Sequence, residues 1–123
     1  AYRLELARVQ TGTGEVPEAT VQITAPDGAK YSQTSNGDGP VDAVCRAIAE
    51  VVGVQPELDE FNVHSITGGM DAVGEVTIRV RYNGCLYSGR GADTDIIVAS
   101  AKAYINALNR LLALEGMLEM RSA

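Results

Sequence analysis

The chain has 123 residues, 46% of them hydrophobic, which is enough for one compact domain with its own core. Its formal net charge of −6, with 10 basic residues, argues against a partner with a phosphate backbone, so we expect no nucleic acid. No apolar run approaches the ~20 residues needed to span a bilayer and no signal-peptide pattern opens the chain, so we expect no membrane partner and a cytoplasmic location.

The first half of the chain predicts three strands followed by a helix. Strands are expected at Tyr2 to Gly12, at Ala19 to Ala25, where polar and apolar residues alternate, and at Lys30 to Ser35. A helix is expected from about Pro40 to Val52, because apolar residues recur there at helical spacing and proline suits the first helical position.

The second half follows the same plan. Strands are expected at Leu58 to Ile66, Glu75 to Tyr82 and Cys85 to Gly89, with a glycine-rich loop at Thr67 to Asp71. A longer amphipathic helix is expected from near Thr94 to about Leu114. The two halves therefore predict the same order of elements.

The halves also match residue by residue at one constant offset, from a hairpin turn to the middle of the helix. Asp27-Gly28 and Asn83-Gly84 are both strong hairpin signals. The matched pairs are Gly28 with Gly84, Tyr31 with Tyr87, Ser32 with Ser88, Val41 with Ile97, Ala43 with Ala99 and Ala47 with Ala103. This pattern predicts a duplicated βββα unit and an α+β fold, in which antiparallel sheets are covered by two helices around a pseudo-twofold axis. We expect one domain over 1–123, with unit one at about 1–54, unit two at about 55–116 and a tail at 117–123.

A glycine-spaced stretch precedes each helix. Gly89 and Gly91 are interpreted as a turn that leads into the second helix, with Asp93 or Thr94 as its cap. Gly37 and Gly39 occupy the same place before the first helix.

Such a helix start is a candidate binding site. Glycines at 37 and 39 would leave backbone N–H groups bare, and these attract a carboxylate. The nearby acidic residues would accept an ammonium group, and Val41, Phe61 and Ala72 would supply an apolar wall. The combination suits a zwitterion, namely an amino acid. The acidic residues at the helix starts also have a purely structural interpretation, as caps and partners of the helix dipole.

The sequence offers no catalytic constellation. His64 is the single histidine and has no nucleophile or metal-ligating partner near it in sequence, so we interpret it as a surface or structural residue. Cys45 and Cys85 lie far apart and are expected to be reduced thiols, with no metal or cofactor in this domain. We therefore expect no enzyme activity from the chain by itself.

Three runs of sequence carry a family resemblance that covers nearly the whole chain. They are Gly37-Asp38-Gly39-Pro40-Val41-Asp42-Ala43, the run from Gly69 to Val76, and the run from Gly89 to Tyr104 that is followed by Leu108-Asn109-Arg110. The chain resembles the C-terminal regulatory domain of 2-isopropylmalate synthase and of its relative citramalate synthase.

The resemblance implies a function. It implies a homodimeric domain of two βββα units that binds L-leucine as feedback inhibitor. The inhibited reaction, condensation of acetyl-CoA with 2-oxoisovalerate, belongs to a separate TIM-barrel domain that uses a divalent metal. By position, the resemblance implies these effector contacts: Gly37, Asp38, Gly39, Val41, Leu58, Phe61, Ser65, Ala72 and Ile97.

Two of these positions depart from the family pattern, and two alternatives stay open. The family often has Tyr where Phe61 stands and Ala where Ser65 stands, which changes pocket polarity. One alternative is an isoleucine-sensing domain of citramalate synthase. The other is a dimerisation scaffold without a ligand response.

Overall fold

A computed structural model describes residues 1–65 and 72–116, so the predicted glycine-rich loop and the tail at 117–123 lie outside the described residues. The elements in chain order are β1 (Arg3–Gln10), β2 (Glu18–Thr24), β3 (Lys30–Asn36), α1 (Pro40–Val52), β4 (Glu57–Ser65), β5 (Gly74–Tyr82), β6 (Cys85–Asp93) and α2 (Ile96–Leu114). The predicted α+β fold of two βββα units is confirmed.

Each unit forms its own three-stranded antiparallel sheet. The strand orders are β1-β2-β3 and β4-β5-β6, so every strand pairs with its neighbour in sequence. The two predicted hairpin turns are present, with left-handed backbone at Gly28 (φ 89°) and at Asn83 and Gly84 (φ 52° and 75°). The central strands β2 and β5 direct alternate apolar side chains towards the helices, and these are fully buried: Val21, Ile23, Val76, Ile78 and Val80.

Helix α2 lies at the centre of the molecule. It packs on β5 and β6 of its own unit and also contacts α1 and β1 of the other unit. Both Leu108 and Leu111 on α2 are fully buried. The Asn109 side chain joins α2 to β1, because it accepts a hydrogen bond from the Tyr2 N–H and donates one to the Tyr2 carbonyl, both at 2.8 Å. No helix in the described part of the chain is both long and apolar enough to cross a membrane.

The interpretation of Gly89 and Gly91 as a turn is wrong. Both lie inside β6, which continues to Asp93, and both face α2. A Cβ atom on Gly89 would lie 2.2 Å from the Ala103 carbonyl oxygen, and one on Gly91 would lie 2.3 Å from that of Ala99. The glycines therefore allow the helix backbone to approach the strand directly.

The start of α2 also differs from the prediction. The helix begins at Ile96 and its N-cap is Asp95, not Asp93 or Thr94. The Asp95 carboxylate accepts hydrogen bonds from the N–H groups of Ile97 and Val98, at 2.8 and 3.4 Å. Asp93 instead accepts from the Asp95 N–H at 2.9 Å and so shapes the turn before the helix.

The duplication extends to a strand irregularity. The first strand of each unit has a β-bulge, between Leu4 and Leu6 in β1 and between Leu58 and Glu60 in β4. Leu4 lies opposite Ile23 and Leu58 lies opposite Val80, which are the corresponding buried positions of the two central strands.

The two units differ in how far their helices extend. Helix α1 has 13 residues and ends at Gly53, whereas α2 has 19. The helix-facing side of β1 is covered by α1 and α2, but no helix covers β4 to a comparable extent. Leu58 and Val63 on the corresponding side of β4 are consequently 52% and 49% exposed. We call Leu58, Phe61 and Val63 the open face of β4.

Candidate functional site

A cavity of about 500 Å³ lies between α1 and the open face of β4. Four side chains come from the first two turns of α1, two from the α1–β4 connection, two from β4 and one from α2. They are Val41, Asp42, Cys45, Arg46, Gln55, Pro56, Leu58, Phe61 and Tyr104. The cavity exists because the short helix α1 leaves β4 uncovered. Its volume falls in the range of small-molecule sites.

The N-terminus of α1 at this cavity has no side-chain cap. Its N-cap is Gly39, which has no side chain to accept a hydrogen bond, and Pro40 follows it. The backbone N–H groups of Val41 and Asp42 lie in the first turn, where a helix offers no carbonyl group to accept their hydrogen bonds. The equivalent end of α2 is capped by Asp95. Of the two helix starts, the one beside the cavity is therefore the one left open to an anion.

The two residues before this cap have partners, contrary to the prediction of bare amides around Gly37. The Gly37 N–H donates to the Pro17 carbonyl at 3.2 Å, and the Asp38 N–H donates to the Asp42 carboxylate at 2.9 Å. A Cβ atom on Gly37 would lie 2.4 Å from the Ala43 backbone nitrogen, so this glycine serves close packing.

Charges of both signs line the mouth of the cavity. The Arg46 guanidinium lies 3.1 Å from the Asp42 carboxylate, one helical turn away, and both side chains are about half exposed. Burial, and then the charge of Asp42, raises the pKa of the Cys45 thiol to about 12. Cys45 is therefore protonated at neutral pH and acts as a small apolar wall residue, not as a nucleophile.

The structure brings some of the predicted effector residues together. Val41, Leu58 and Phe61 line the cavity, and Gly39 caps the helix that forms its wall. Ala72 and Ile97 do not line it: Ala72 is exposed, and Ile97 packs against the core at the start of α2. Ser65 is the last residue of β4.

Sequence reasoning missed several lining residues. Tyr104 belongs to the apolar stripe of α2, where an aromatic residue in the sequence indicates core, although its polar tip needs a partner when buried. The Asp42–Arg46 pair was visible as opposite charges four residues apart. Gln55 and Pro56 belong to a connection, and nothing in their spacing indicated a site.

The described part of the chain holds no cluster of metal-binding side chains. Within residues 1–65 and 72–116, no group of three or more His, Cys, Asp or Glu side chains could hold a metal ion. His64 is exposed on β4, and both cysteines are free.

Known proteins resemble this chain over most of its length. The family model of the LeuA allosteric (dimerisation) domain matches residues 1–112. The chain belongs to this family. The chain is also similar to curated proteins named 2-isopropylmalate synthase. It is 57% identical to one from Microcystis aeruginosa over 89% of the chain, and 54% identical to one from Parasynechococcus marenigrum (strain WH8102) over 91%. A third, from Trichodesmium erythraeum (strain IMS101), is 56% identical over 91% of the chain.

These relatives are much longer than the matched region. The chain spans 21% of the length of each of the three. The similarity is therefore limited to the region that corresponds to the LeuA allosteric (dimerisation) domain. The synthase activity in the relatives' names belongs to those whole proteins.

Proposed function

We propose that this chain is the feedback-regulatory domain of a 2-isopropylmalate synthase and that it binds L-leucine. The family match and the names of the relatives support the first part. The second part rests on one observation, an uncapped helix N-terminus beside an apolar cavity of about 500 Å³. In this proposal the condensation of acetyl-CoA with 2-oxoisovalerate, and the divalent metal it needs, belong to a separate TIM-barrel domain.

The chemistry of the cavity fits a branched aliphatic amino acid. The leucine carboxylate would accept hydrogen bonds from the amides of Val41 and Asp42, since a helix N-terminus favours an anion. The branched side chain would lie against Leu58 and Phe61, where burial of apolar surface stabilises the complex. The resemblance also implies five further effector contacts by position, namely Gly37, Asp38, Ser65, Ala72 and Ile97. They stay part of the proposal, because in a homodimer the second copy of the chain would add walls to the site that a single copy lacks.

The homodimer would form over the open face of β4. Half-exposed apolar residues such as Leu58 and Val63 are unfavourable in water, and the corresponding face of β1 is covered by helices. A Val63→Lys variant places a charge on this face outside the cavity lining and should weaken dimerisation in sedimentation velocity. Val16→Lys is the control, because Val16 is 65% exposed and lies in the β1–β2 loop. A dimer that is unaffected by Val63→Lys would place the interface elsewhere.

Inhibition would follow from differential affinity. If leucine binds this domain more tightly in the inactive state of the full-length protein, it shifts the population towards that state. The proposal therefore needs both leucine binding by the domain and leucine-dependent inhibition in the full-length protein.

The substitution Gly39→Asp tests the proposal without disturbing the fold. The new side chain would enter open space, because no atom lies within 4 Å of a Cβ at this position, and it would cap the helix as Asp95 caps α2. A capped N-terminus no longer offers its amides to a carboxylate, so we expect leucine affinity measured by calorimetry to fall at least about ten-fold. The melting temperature should be unchanged or slightly higher.

Gly39→Ala is the matched control, since it adds the same Cβ atom without the carboxylate and should keep leucine binding. The full-length protein with Gly39→Asp should stay active and lose its inhibition by leucine. Tighter binding of isoleucine than of leucine by the unmodified chain would favour a citramalate synthase regulator. Absence of binding by a confirmed dimer to leucine, isoleucine or valine would leave only a dimerisation scaffold.

A further inference from the structure

We propose that Tyr104 binds the effector directly and that its hydroxyl oxygen accepts a hydrogen bond from the ammonium group of the amino acid. This inference rests on the proposed function of the cavity and names the group that would distinguish an amino acid from the corresponding 2-oxo acid. Tyr104 is not among the effector contacts implied by the family resemblance.

The first observation concerns an unused polar group. Tyr104 is only 5% exposed and lines the cavity from α2. No hydrogen bond joins its hydroxyl to another residue within 1–65 or 72–116, and the hydroxyl oxygen is accessible to solvent, as expected for a group that faces a cavity. Buried tyrosine hydroxyls usually have a partner, as Tyr87 does in the same unit, where the hydroxyl donates to the Glu115 carboxylate. The Tyr104 hydroxyl is therefore placed to bond a molecule inside the cavity.

The second observation concerns charge. Burial is the main cause that raises the pKa of Tyr104, and the nearby Cys45 and Asp42 raise it further, so the phenol is neutral at physiological pH. Asp42 would repel a carboxylate bound beside Tyr104 and attract an ammonium group, which would compete with the Arg46 guanidinium for the Asp42 carboxylate. The backbone amides at the start of α1 provide the complementary place for the carboxylate. This arrangement separates the two charges of a zwitterion along the cavity wall.

The arrangement has a consequence for specificity. The 2-oxo acid that corresponds to leucine has the same carboxylate and the same branched chain, but a ketone oxygen replaces the ammonium group. That oxygen is only an acceptor, so the Asp42 carboxylate would repel it, and the neutral Tyr104 hydroxyl would be the one group of this pair able to donate to it. A site that bonds an N–H group strongly disfavours an analogue that lacks it. The cavity should therefore bind the amino acid and reject the chemical class of 2-oxo acids.

The experiment compares two ligands and three proteins by titration calorimetry. The ligands are L-leucine and 4-methyl-2-oxopentanoate, and the proteins are the unmodified chain, Tyr104→Phe and Tyr82→Phe. Tyr82 is a matched control, because it packs against the core without lining the cavity. We expect Tyr104→Phe to weaken leucine binding about ten-fold and the already weak binding of the oxo acid by a smaller factor, and Tyr82→Phe to change neither.

The outcomes separate this inference from the proposed function. If the unmodified chain does not bind leucine, the proposed function fails first. If it binds leucine and Tyr104→Phe binds equally well, or if both ligands weaken by the same factor, the assignment of Tyr104 is overturned.

A second measurement does not depend on the folding of the variant. In the unmodified chain labelled with ¹³C at the tyrosine Cζ atoms, leucine should shift the Tyr104 resonance and leave that of Tyr82 in place. An unshifted Tyr104 resonance at leucine saturation would also overturn the inference.

Discussion

The substitution Gly89→Ala tests how closely α2 lies on β6. The added methyl carbon would lie 2.2 Å from the Ala103 carbonyl oxygen and 2.3 Å from the Ala107 backbone nitrogen. Both obstacles are main-chain atoms, which cannot rotate away as the end of a long side chain can. Helix and strand would therefore have to separate by about 1 Å to restore an ordinary contact.

The expected cost is large because α2 packs against elements of both units. Overpacking of a well-packed core costs ~1–3 kcal/mol, and a shift of α2 would also disturb its contacts with α1 and β1. We expect the upper end of this range, about 3 kcal/mol. For a domain of this size it corresponds to a fall of roughly 10 °C in melting temperature.

The measurement is thermal and urea unfolding followed by circular dichroism, with Gly12→Ala as control. A Cβ on Gly12 would meet only the end of the flexible Glu15 side chain, at 3.3 Å, so this variant should stay within about 0.5 kcal/mol of the unmodified chain. If Gly89→Ala melts within the same narrow range as the control, the direct contact of helix and strand backbones is refuted.

Three further predictions concern single contacts, each checked by urea unfolding midpoints. Asp95→Ala removes the cap of α2 and should cost about 1 kcal/mol, so an unchanged midpoint would contradict the capping role. Asn109→Ala removes both hydrogen bonds between α2 and Tyr2, just before β1, and should cost ~1–3 kcal/mol. Asn106→Ala, which removes one exposed hydrogen bond to the Arg90 carbonyl in β6, should cost less. The Asp95 N–H and then the Lys102 ammonium group lower the pKa of Asp93. The Asp93 carboxylate therefore stabilises the fold at pH values above its unfolded pKa, and this stabilisation is lost as the pH falls through its lower folded pKa. Asp93→Asn should therefore be less stable than the unmodified chain at pH 7 and equally stable in acid below the folded pKa of Asp93, and a gap that persists there would refute this origin.

The fold was predictable because its signals are local. The alternation of apolar residues marked the central strands, and Asp27-Gly28 and Asn83-Gly84 marked the hairpins at the positions where positive φ angles occur. The internal repeat then fixed the number and order of the elements. None of these inferences required knowledge of a contact between distant parts of the chain.

Glycine was misinterpreted where its role depends on such a contact. A glycine that adopts a positive φ and a glycine that admits a neighbouring backbone look alike in sequence. For Gly89 and Gly91 the distinguishing signal was in α2, where Ala99, Ala103 and Ala107 recur at intervals of four residues. Small residues on one face of a helix indicate that the helix is approached closely, and the glycines opposite complete that contact.

The candidate site was only partly predictable for the same reason. Val41 and Phe61 were identified from a helix start and a strand, but the cavity between them exists because α1 stops before it can cover β4. Tyr104 lines the cavity from α2, the helix of the second unit. The sequence cannot show whether a side chain in the apolar stripe of a helix packs against a neighbour or faces a cavity.

The two helix starts provide an argument about where function departs from stability. Gly39 and Asp95 are the N-caps of α1 and α2, in units that otherwise match. An aspartate at the first position would stabilise α1 at no steric cost, because the space around Gly39 is open. By analogy with the second unit, we would expect an aspartate at position 39. Where a position lacks the stabilising residue and packing does not explain this, a function is expected. The missing cap lies at the cavity and the other cap does not, so the same comparison that defines the repeat also indicates which half of it would hold the ligand of the proposed function.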